Sequence, residues 1–250
     1  MIDVHCHLEQ RDYDSDRDEV IEKCKQELKA VITSCARPKD LDLTMQLVEK
    51  HRGFVFATVG IHPQYIKKIN EKEKEEFFEI VRKNKDKIVG IGEVGLDFLI
   101  EETEWREKQK ELFSDFISLS NELKKPLIIH ARKAFDEAIE ILDAQKAKNV
   151  LMHFFSAKEL LDRVIENGWY ISVNTTLLTS KNIKKIVRDM PIERILTETD
   201  SPWLGSEGKR NDPRSIKLVI QRISEIKKVG LEEIDKLTTE NAIKFFDLKV

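Results

Sequence analysis

Short runs of apolar and β-branched residues alternate along this chain with longer segments in which apolar and charged positions recur at helical spacing. Such alternation is typical of βα units on a parallel sheet, because strands buried on both faces read as short continuous apolar runs. Eight runs of this kind predict eight strands: Ile2–His5, Ala30–Ser34, Phe54–Gly60, Ile88–Glu93, Leu127–His130, Val150–His153, Tyr170–Val173 and Ile195–Glu198.

Two of the intervening segments, Glu71–Lys85 and Trp105–Leu123, keep a helical period of apolar residues. Eight strands separated by such segments are the number that closes a (β/α)8 barrel, which commonly forms a single domain of about 250 residues. No Gly/Ser/Pro-rich linker or change of composition divides the 250 residues. The pattern therefore predicts one α/β TIM-barrel domain over residues 1–250.

Histidines stand at the predicted strand ends. The chain has six, and five of them lie at or just beyond the C-terminal end of a predicted strand: His5, His7, His62, His130 and His153. Residues two apart on a strand face the same side, so His5 and His7 can approach one point while Cys6 faces away. The sixth, His51, lies in a helical setting.

Two carboxylates follow the same rule, since Glu93 closes the fourth predicted strand and Asp200 follows the eighth. The C-terminal strand ends of a barrel form the rim where active sites are built. We therefore expect one metal centre at this rim, with the ligands His5, His7, Glu93, His130, His153 and Asp200.

Six ligands exceed the roughly three protein ligands of a single catalytic zinc, so the pattern predicts two divalent ions bridged by Glu93. Imidazole and carboxylate ligands suit Zn²⁺, Mn²⁺, Fe²⁺ or Co²⁺ more than Mg²⁺, and the identity of the metal stays open.

The overall charge is nearly balanced, with 43 basic and 46 acidic residues and a formal net charge of −3. This excludes a globally basic nucleic-acid or membrane binder, so any polyanion must be met locally. Three cysteines without Cys-x-x-Cys spacing argue against a disulfide framework or zinc ribbon. Without a signal-like or membrane-spanning apolar run, we expect a cytoplasmic protein with no membrane association and no obligate protein partner.

At these positions the chain resembles the TatD family of metal-dependent deoxyribonucleases, within the amidohydrolase-like barrels. The matching segments are Asp3-Val4-His5-Cys6-His7-Leu8, Gly60-Ile61-His62-Pro63, Gly92-Glu93-Val94-Gly95-Leu96-Asp97, Pro126-Leu127-Ile128-Ile129-His130-Ala131-Arg132, Met152-His153-Phe154-Phe155-Ser156, Glu198-Thr199-Asp200-Ser201-Pro202-Trp203 and Thr239-Glu240-Asn241-Ala242.

The resemblance implies a TIM barrel that hydrolyses phosphodiester bonds in DNA, single-stranded or at strand ends. By motif position, one ion belongs to His5, His7 and Asp200 and the other to His130 and His153, with Glu93 bridging. Family members commonly have cysteine at position 154 and a glycine in the seventh strand. This chain has Phe154 and no such glycine, which leaves substrate preference open.

A mechanism follows from these ligands. Metal binding lowers the pKa of water towards about 7 and so supplies hydroxide, which we expect to attack phosphorus in line. Asp200 is the candidate general base, while Glu93 holds both ions.

Four residues are candidate substrate contacts: His62, Arg132, Trp203 and Arg210. His62 either touches phosphate or orders its loop, and Arg132 either grips phosphate or pairs with a neighbouring acid. Lys209-Arg210-Asn211 is either a basic lip or a solvated loop. Trp203, with Phe154 and Phe155, either stacks on unpaired bases or packs. Asp97 either orients a ligand imidazole or caps a loop.

Two alternatives remain. The same dinuclear site could attack a carbonyl, as an amidohydrolase or an aminoacyl-tRNA deacylase, since fold does not determine function. A metal-stabilised scaffold is less consistent with ligands spread over several strand ends, because structural sites are normally closed and local. Exonuclease or endonuclease action, DNA or RNA preference and oligomeric state are not decided by the sequence.

Overall fold

The eight apolar runs form one parallel sheet whose strands follow each other in chain order. A computed structural model describes residues 1–205 and 208–250. Within them the strands are β1 (Ile2–Cys6), β2 (Ala30–Cys35), β3 (Val55–Val59), β4 (Gly90–Asp97), β5 (Leu127–Arg132), β6 (Val150–Met152), β7 (Tyr170–Val173) and β8 (Ile195–Thr197). The predicted TIM barrel is confirmed.

Helices occupy the segments between the strands. In the described ranges they are α1 (Arg17–Glu27), α2 (Leu41–Lys50), α3 (Glu71–Lys83), α4 (Thr103–Leu123), α5 (Phe135–Ala144), α6 (Leu161–Glu166), α7 (Lys181–Asp189), α8 (Ile216–Lys227) and α9 (Leu231–Phe246). His51 caps the C-terminus of α2. Among the described residues, no helix combines the length and the apolar character needed to cross a bilayer.

The strand bounds differ most from the prediction at β4, which extends to Asp97, whereas the apolar run predicted an end at Glu93. Gly95 permits this extension. It pairs with His130 across the sheet at φ +136°, and a Cβ at this position would lie 2.1 Å from the His130 carbonyl oxygen. Only glycine fits both the positive φ and the close approach. The extension carries β4 past Glu93 to Asp97.

The barrel closes between β1 and the segment that follows β8. The Asp200 N–H donates to the His5 carbonyl oxygen at 2.9 Å, and the His7 N–H donates to the Ser201 carbonyl oxygen at 2.7 Å. Asp3, which is fully buried, accepts hydrogen bonds from the Thr199 N–H and hydroxyl at 3.1 and 2.5 Å. The junction therefore places His5 and His7 beside Asp200, although about two hundred residues separate them in sequence.

Two apolar layers support the strands. The outward side chains of the strands pack against the helices in one large cluster, which includes Val31, Ile129 and Met152. A smaller cluster joins inward side chains near the strands' N-terminal ends to residues of α9 and the following segment, with the members Ile2, Val4, Ala30, Ile32, Ile128, Leu151, Tyr170, Leu196, Ala242, Phe246 and Leu248. One end of the barrel is thus filled by apolar groups, and the opposite end is left for polar chemistry.

Replacing Gly95 tests the close approach of β4 and β5. We expect Gly95→Ala to reduce the free energy of unfolding by about 1–3 kcal/mol, because the new methyl group meets the His130 carbonyl at a positive φ. Gly230→Ala is the matched control, since no heavy atom lies within 4 Å of a Cβ built there. Its effect should stay within about 0.5 kcal/mol in urea unfolding. Equal losses for the two variants would contradict the role assigned to Gly95.

Candidate metal centre

A pocket of about 600 Å³ opens at the C-terminal ends of the strands. Its lining includes three acidic residues, Glu93, Asp97 and Asp200, and four histidines, His7, His62, His130 and His153. His5 lies behind this surface and is fully buried. The structure therefore brings all six residues predicted as metal ligands to one end of the barrel.

Glu93 lies at the centre of this group, and its two carboxylate oxygens face different histidines. Oε1 is 2.7 Å from His130 Nδ1, 3.6 Å from His153 Nε2 and 3.5 Å from His62 Nε2. Oε2 is 3.6 Å from His5 Nε2 and 3.9 Å from His7 Nε2. One carboxylate thus separates the imidazoles of β1 from those of β5 and β6.

His5, His7 and Asp200 form the compact side of the site. The Nε2 atoms of the two histidines are 3.2 Å apart, and Asp200 Oδ1 is 3.4 Å from His7 Nε2 and 3.8 Å from His5 Nε2. Asp200 has a positive φ of 55°, a conformation that side chains other than glycine adopt infrequently. Three ligand atoms from two distant parts of the chain therefore converge.

Two buried glutamates orient the imidazoles of the site. His153 Nδ1–H donates to Glu198 Oε2 at 2.7 Å, and His7 Nδ1–H donates to Glu9 Oε1 at 3.3 Å. Each bond directs the Nε2 atom of its ring into the site, the usual arrangement around metal-bound histidine. Neither glutamate is among the residues predicted from the sequence, although each stands two positions from a predicted ligand.

His130 lies between two carboxylates, with Nδ1 against Glu93 and Nε2 3.6 Å from Asp97 Oδ2. Burial lowers the pKa of His130, but the neighbouring carboxylates of Asp97 and Glu93 outweigh it and raise the pKa above its ordinary value. Asp97 Oδ1 also accepts the Leu99 N–H at 3.0 Å. Asp97 thus combines the two roles that the sequence left as alternatives.

His62 is bound differently from the other histidines. Its Nδ1 accepts the Gln64 N–H at 3.1 Å, so the proton of the neutral ring is on Nε2. Burial lowers the pKa of His62 to about 3, which keeps the ring neutral at pH 7. A protonated Nε2 cannot coordinate a cation, but it can donate a hydrogen bond into the pocket.

The two acidic ligands are ionised. Burial opposes the charge of Glu93, but the surrounding imidazoles of His62, His130 and His5 hold its pKa well below the ordinary value. Burial also opposes the charge of Asp200, and the hydrogen bond from His7 lowers its pKa nonetheless. Glu198 raises the pKa of His153 to about 9 against the effect of burial.

The chain matches the family of TatD related DNases over residues 2–247. It belongs to this family. An uncharacterized metal-dependent hydrolase of Methanocaldococcus jannaschii is 35% identical over 248 residues, covering 98% of this chain and 96% of that one. Human deoxyribonuclease TATDN3 is 32% identical over 258 residues, covering 98% and 94%. The resemblance read from the motifs is confirmed, and the chain is a metal-dependent hydrolase of the TatD type.

Solved structures show the same fold. YjjV, a TatD homologue from Escherichia coli, superposes with a TM-score of 0.91 at 23% identity, covering 100% of this chain and 98% of that one. A TatD-family hydrolase from Entamoeba histolytica gives a TM-score of 0.91 at 21% identity, with the same coverage. At these identities, both structures show that this TatD-family chain shares their fold.

The donor set of this TatD-family site fits divalent cations. Candidate ligand atoms lie within 4.8 Å of one another in two groups: His5, His7 and Asp200; and His5, Glu93 and His153. A third group combines Glu93 and His130 with His62, whose Nε2–H is a donor. Buried His5 Nδ1 and His130 Nε2 have no hydrogen-bond partner among the described residues. Two imidazole nitrogens at 3.2 Å and two ionised carboxylates are a set that cations satisfy.

The predicted substrate contacts do not all reach the TatD-type pocket. Arg132 lines it, and its guanidinium has no hydrogen bond or ion pair with the described residues. Trp203 is 46% exposed at the rim, with its ring 4.7 Å from that of His7. Arg210 is not among the lining residues, because its guanidinium is bound to Asp16 at 2.8 Å and stacks on Tyr13.

Asn211, Phe154 and Phe155 accompany these candidate contacts in the sequence prediction, and only Phe154 lies in the lining of the pocket. Asn211 is buried and donates to the Thr199 carbonyl oxygen, so it holds the loop after β8. Phe155 is buried and packs against Phe135, which is the packing alternative of the sequence prediction, whereas Phe154 lines the pocket.

Replacing Glu198 tests the orientation of His153. In Glu198→Gln the Phe154 N–H and the Asn174 amide hold the oxygen, so the NH₂ faces the His153 Nδ1–H and cannot accept it. We therefore expect the affinity for Zn²⁺ or Mn²⁺ to fall by about 10- to 100-fold. Competition with a fluorescent chelator measures this affinity. Glu193→Gln, an exposed change just before β8, is the control and should leave the affinity unchanged. Wild-type affinity in Glu198→Gln would exclude the orienting role.

Proposed function

We propose that this protein hydrolyses phosphodiester bonds in DNA with the help of two divalent ions. The carrying observation is the position of Glu93, whose two oxygens face two separate histidine groups at 2.7–3.9 Å. A bridging carboxylate between two such groups is typical of two-metal hydrolases that act on phosphate esters. Membership of the family of TatD related DNases supports the same substrate class.

His5, His7 and Asp200 would hold one ion, His130 and His153 the other, and Glu93 both. Ions bound there lower the pKa of water and neutralise charge on a phosphate. Glu9 and Glu198 fix the Nδ1–H of His7 and His153 as a donor, so the Nε2 atoms are directed inward, where an ion would bind each of them in place of a proton. Zn²⁺, Mn²⁺ and Co²⁺ suit this imidazole-rich set better than Mg²⁺.

Asp200 is proposed as the general base. Its carboxyl group lines the pocket and has a lowered pKa, so it is ionised at neutral pH. Oδ1 faces His7, which leaves the second oxygen to accept a proton from the water that attacks phosphorus. As the new oxygen–phosphorus bond forms, this proton moves to Asp200 and the ester bond between phosphorus and the leaving sugar oxygen breaks. The leaving oxygen takes a proton from solvent and departs as a hydroxyl group.

His62 and Arg132 are proposed to bind the phosphate. The Nε2–H of neutral His62 can donate to a non-bridging oxygen, and the guanidinium of Arg132 in the pocket lining can bind two oxygens at once. Trp203 offers an exposed ring to an unpaired base. Single strands or strand ends are therefore the proposed substrates, because a paired base cannot stack on a side chain in this way.

The function is tested with metal-loaded protein and end-labelled single-stranded and duplex DNA, alongside an aminoacyl-tRNA and a cyclic amide. We expect cleavage of DNA, its loss on chelation, and a fall of roughly 10²- to 10⁴-fold in kcat for Asp200→Asn. Circular dichroism should show a native fold for this variant. Asp136→Asn, an exposed change in α5, is the control. Turnover of the tRNA or amide alone would overturn the nuclease proposal, and activity in Asp200→Asn would remove its role.

Replacing Arg132, which lines the pocket, and Arg210, which does not, tests where the phosphate binds. We expect Arg132→Gln to raise KM for DNA by roughly 10- to 100-fold, because a charge-assisted contact to phosphate is lost. Arg210→Gln should change KM by less than about threefold, since its guanidinium is already paired with Asp16. Steady-state kinetics on one labelled strand measure both. A larger effect at Arg210 than at Arg132 would contradict this placement of the phosphate.

A further inference from the structure

Helix α7 is strongly basic in a chain whose net charge is negative. Its nine residues include four basic side chains, Lys181, Lys184, Lys185 and Arg188, and one acidic side chain, Asp189, whereas the whole chain has a net charge of −3. The apolar residues of α7, Ile183, Ile186 and Val187, are buried against the barrel. The positive charges are thus concentrated on the outer side of the helix, where Lys181, Lys185 and Arg188 are exposed.

The lysines of α7 are not neutralised. Within residues 1–205 and 208–250, the ammonium groups of Lys181, Lys184 and Lys185 have no hydrogen-bond or ion-pair partner. Asp189, the acid of the helix, is shared between Lys158 at 3.1 Å and Arg188 at 2.7 Å. A positive field therefore remains at this face.

Other lysines near the barrel mouth are paired with acidic side chains. A cleft of about 540 Å³ beside Trp105 also contains Lys67, Lys74 and Lys108. Lys67 is bound to Glu102 at 2.6 Å, Lys74 to Asp115 at 2.6 Å and Lys108 to Glu104 at 2.9 Å. Ion pairs cancel that charge, so α7 is the better match for a polyanion.

The α7 lysines adjoin the pocket. Asn182 Nδ2 donates to the Ser156 carbonyl oxygen at 2.6 Å, and Ser156 lines the pocket. Lys181 is the neighbour of Asn182 at the start of the helix, and Lys185 lies one turn further, about 6 Å along the axis. The charges therefore begin at the rim and continue away from it.

We propose that Lys181, Lys184 and Lys185, here called the α7 basic face, bind the backbone of a single DNA strand beyond the nucleotides held in the pocket. This inference rests on the proposed nuclease function and extends it. Charge complementarity and continuity with the pocket carry it. The face anchors long strands through phosphate contacts that do not depend on base sequence.

The test compares two substrates and one triple variant. Lys181→Gln/Lys184→Gln/Lys185→Gln keeps helix propensity, because glutamine and lysine are similar in helices. We expect KM for a long oligothymidylate to rise about 10-fold, and the log–log salt dependence of its binding to weaken by about 2, for three lost contacts. Turnover of a thymidine dinucleotide, which is too short to reach the face, should be unchanged.

Two further variants control for charge and position. Lys83→Gln/Lys85→Gln/Lys87→Gln removes three exposed lysines just before β4, at the opposite end of the barrel, whose ammonium groups likewise have no hydrogen-bond or ion-pair partner within the described ranges. It should leave both substrates unaffected. The triple arginine variant of the α7 basic face keeps the charge and should retain wild-type KM. Wild-type kinetics on the long strand in the glutamine variant would overturn the proposal, as would equal losses on both substrates.

Binding separates this proposal from the nuclease function. Fluorescence anisotropy with labelled oligothymidylate and metal-free protein requires no cleavage. Weaker binding in the α7 glutamine variant alone supports the face even where no hydrolysis is detected. Dinucleotide cleavage together with unchanged long-strand binding leaves the nuclease function standing and excludes the face.

Discussion

The junction between β1 and β8 is the contact on which the site depends, and a buried carboxylate holds it together. Asp3 accepts hydrogen bonds from the His5 N–H, the Thr199 N–H and the Thr199 hydroxyl at 2.5–3.1 Å. Burial raises the pKa of Asp3 well above its ordinary value, so these bonds offset only part of the cost of desolvating the charge. An apolar pair of side chains would close the barrel without the free-energy cost of desolvating a charge, but it would not set the backbone positions of His5 and Asp200. The junction favours the geometry of the site over stability.

Neighbouring groups then divide the histidines by their ring protons. Glu9 and Glu198 accept hydrogen bonds from the Nδ1–H of His7 and His153 and direct each Nε2 into the pocket, where it can bind a proton or a cation. For His62 a backbone N–H takes the place of the carboxylate, and the same reasoning puts the proton on Nε2. Histidines therefore present Nε2 to the pocket either as a candidate ligand atom or as a hydrogen-bond donor, according to the group behind each ring.

Much of this was predictable, because strands and ligands leave a local trace in the sequence. Apolar runs that end in histidine or carboxylate predict that Glu93, His130 and His153 lie at strand ends. Because the strands are parallel, these ends meet at one rim of the barrel. β4 was predicted too short because its continuation depends on Gly95 approaching His130 across the sheet, which hydrophobicity does not encode. Arg210 was assigned to the substrate, but the fold pairs it with Asp16, 194 positions away, which no local pattern reveals.

The charges at the mouth impose an order on substrate binding. Glu93, Asp97 and Asp200 line the pocket, with Glu9 and Glu198 behind it, while Arg132 is the lone arginine or lysine among its described lining residues. A phosphate approaching this set without cations meets more negative than positive charge at short range. Divalent ions reverse that balance inside the pocket, but the lysines of α7 attract a polyanion whether or not ions are present. Attraction of the polyanion to the rim and binding of its phosphate inside the pocket are therefore separate events, and different residues govern them.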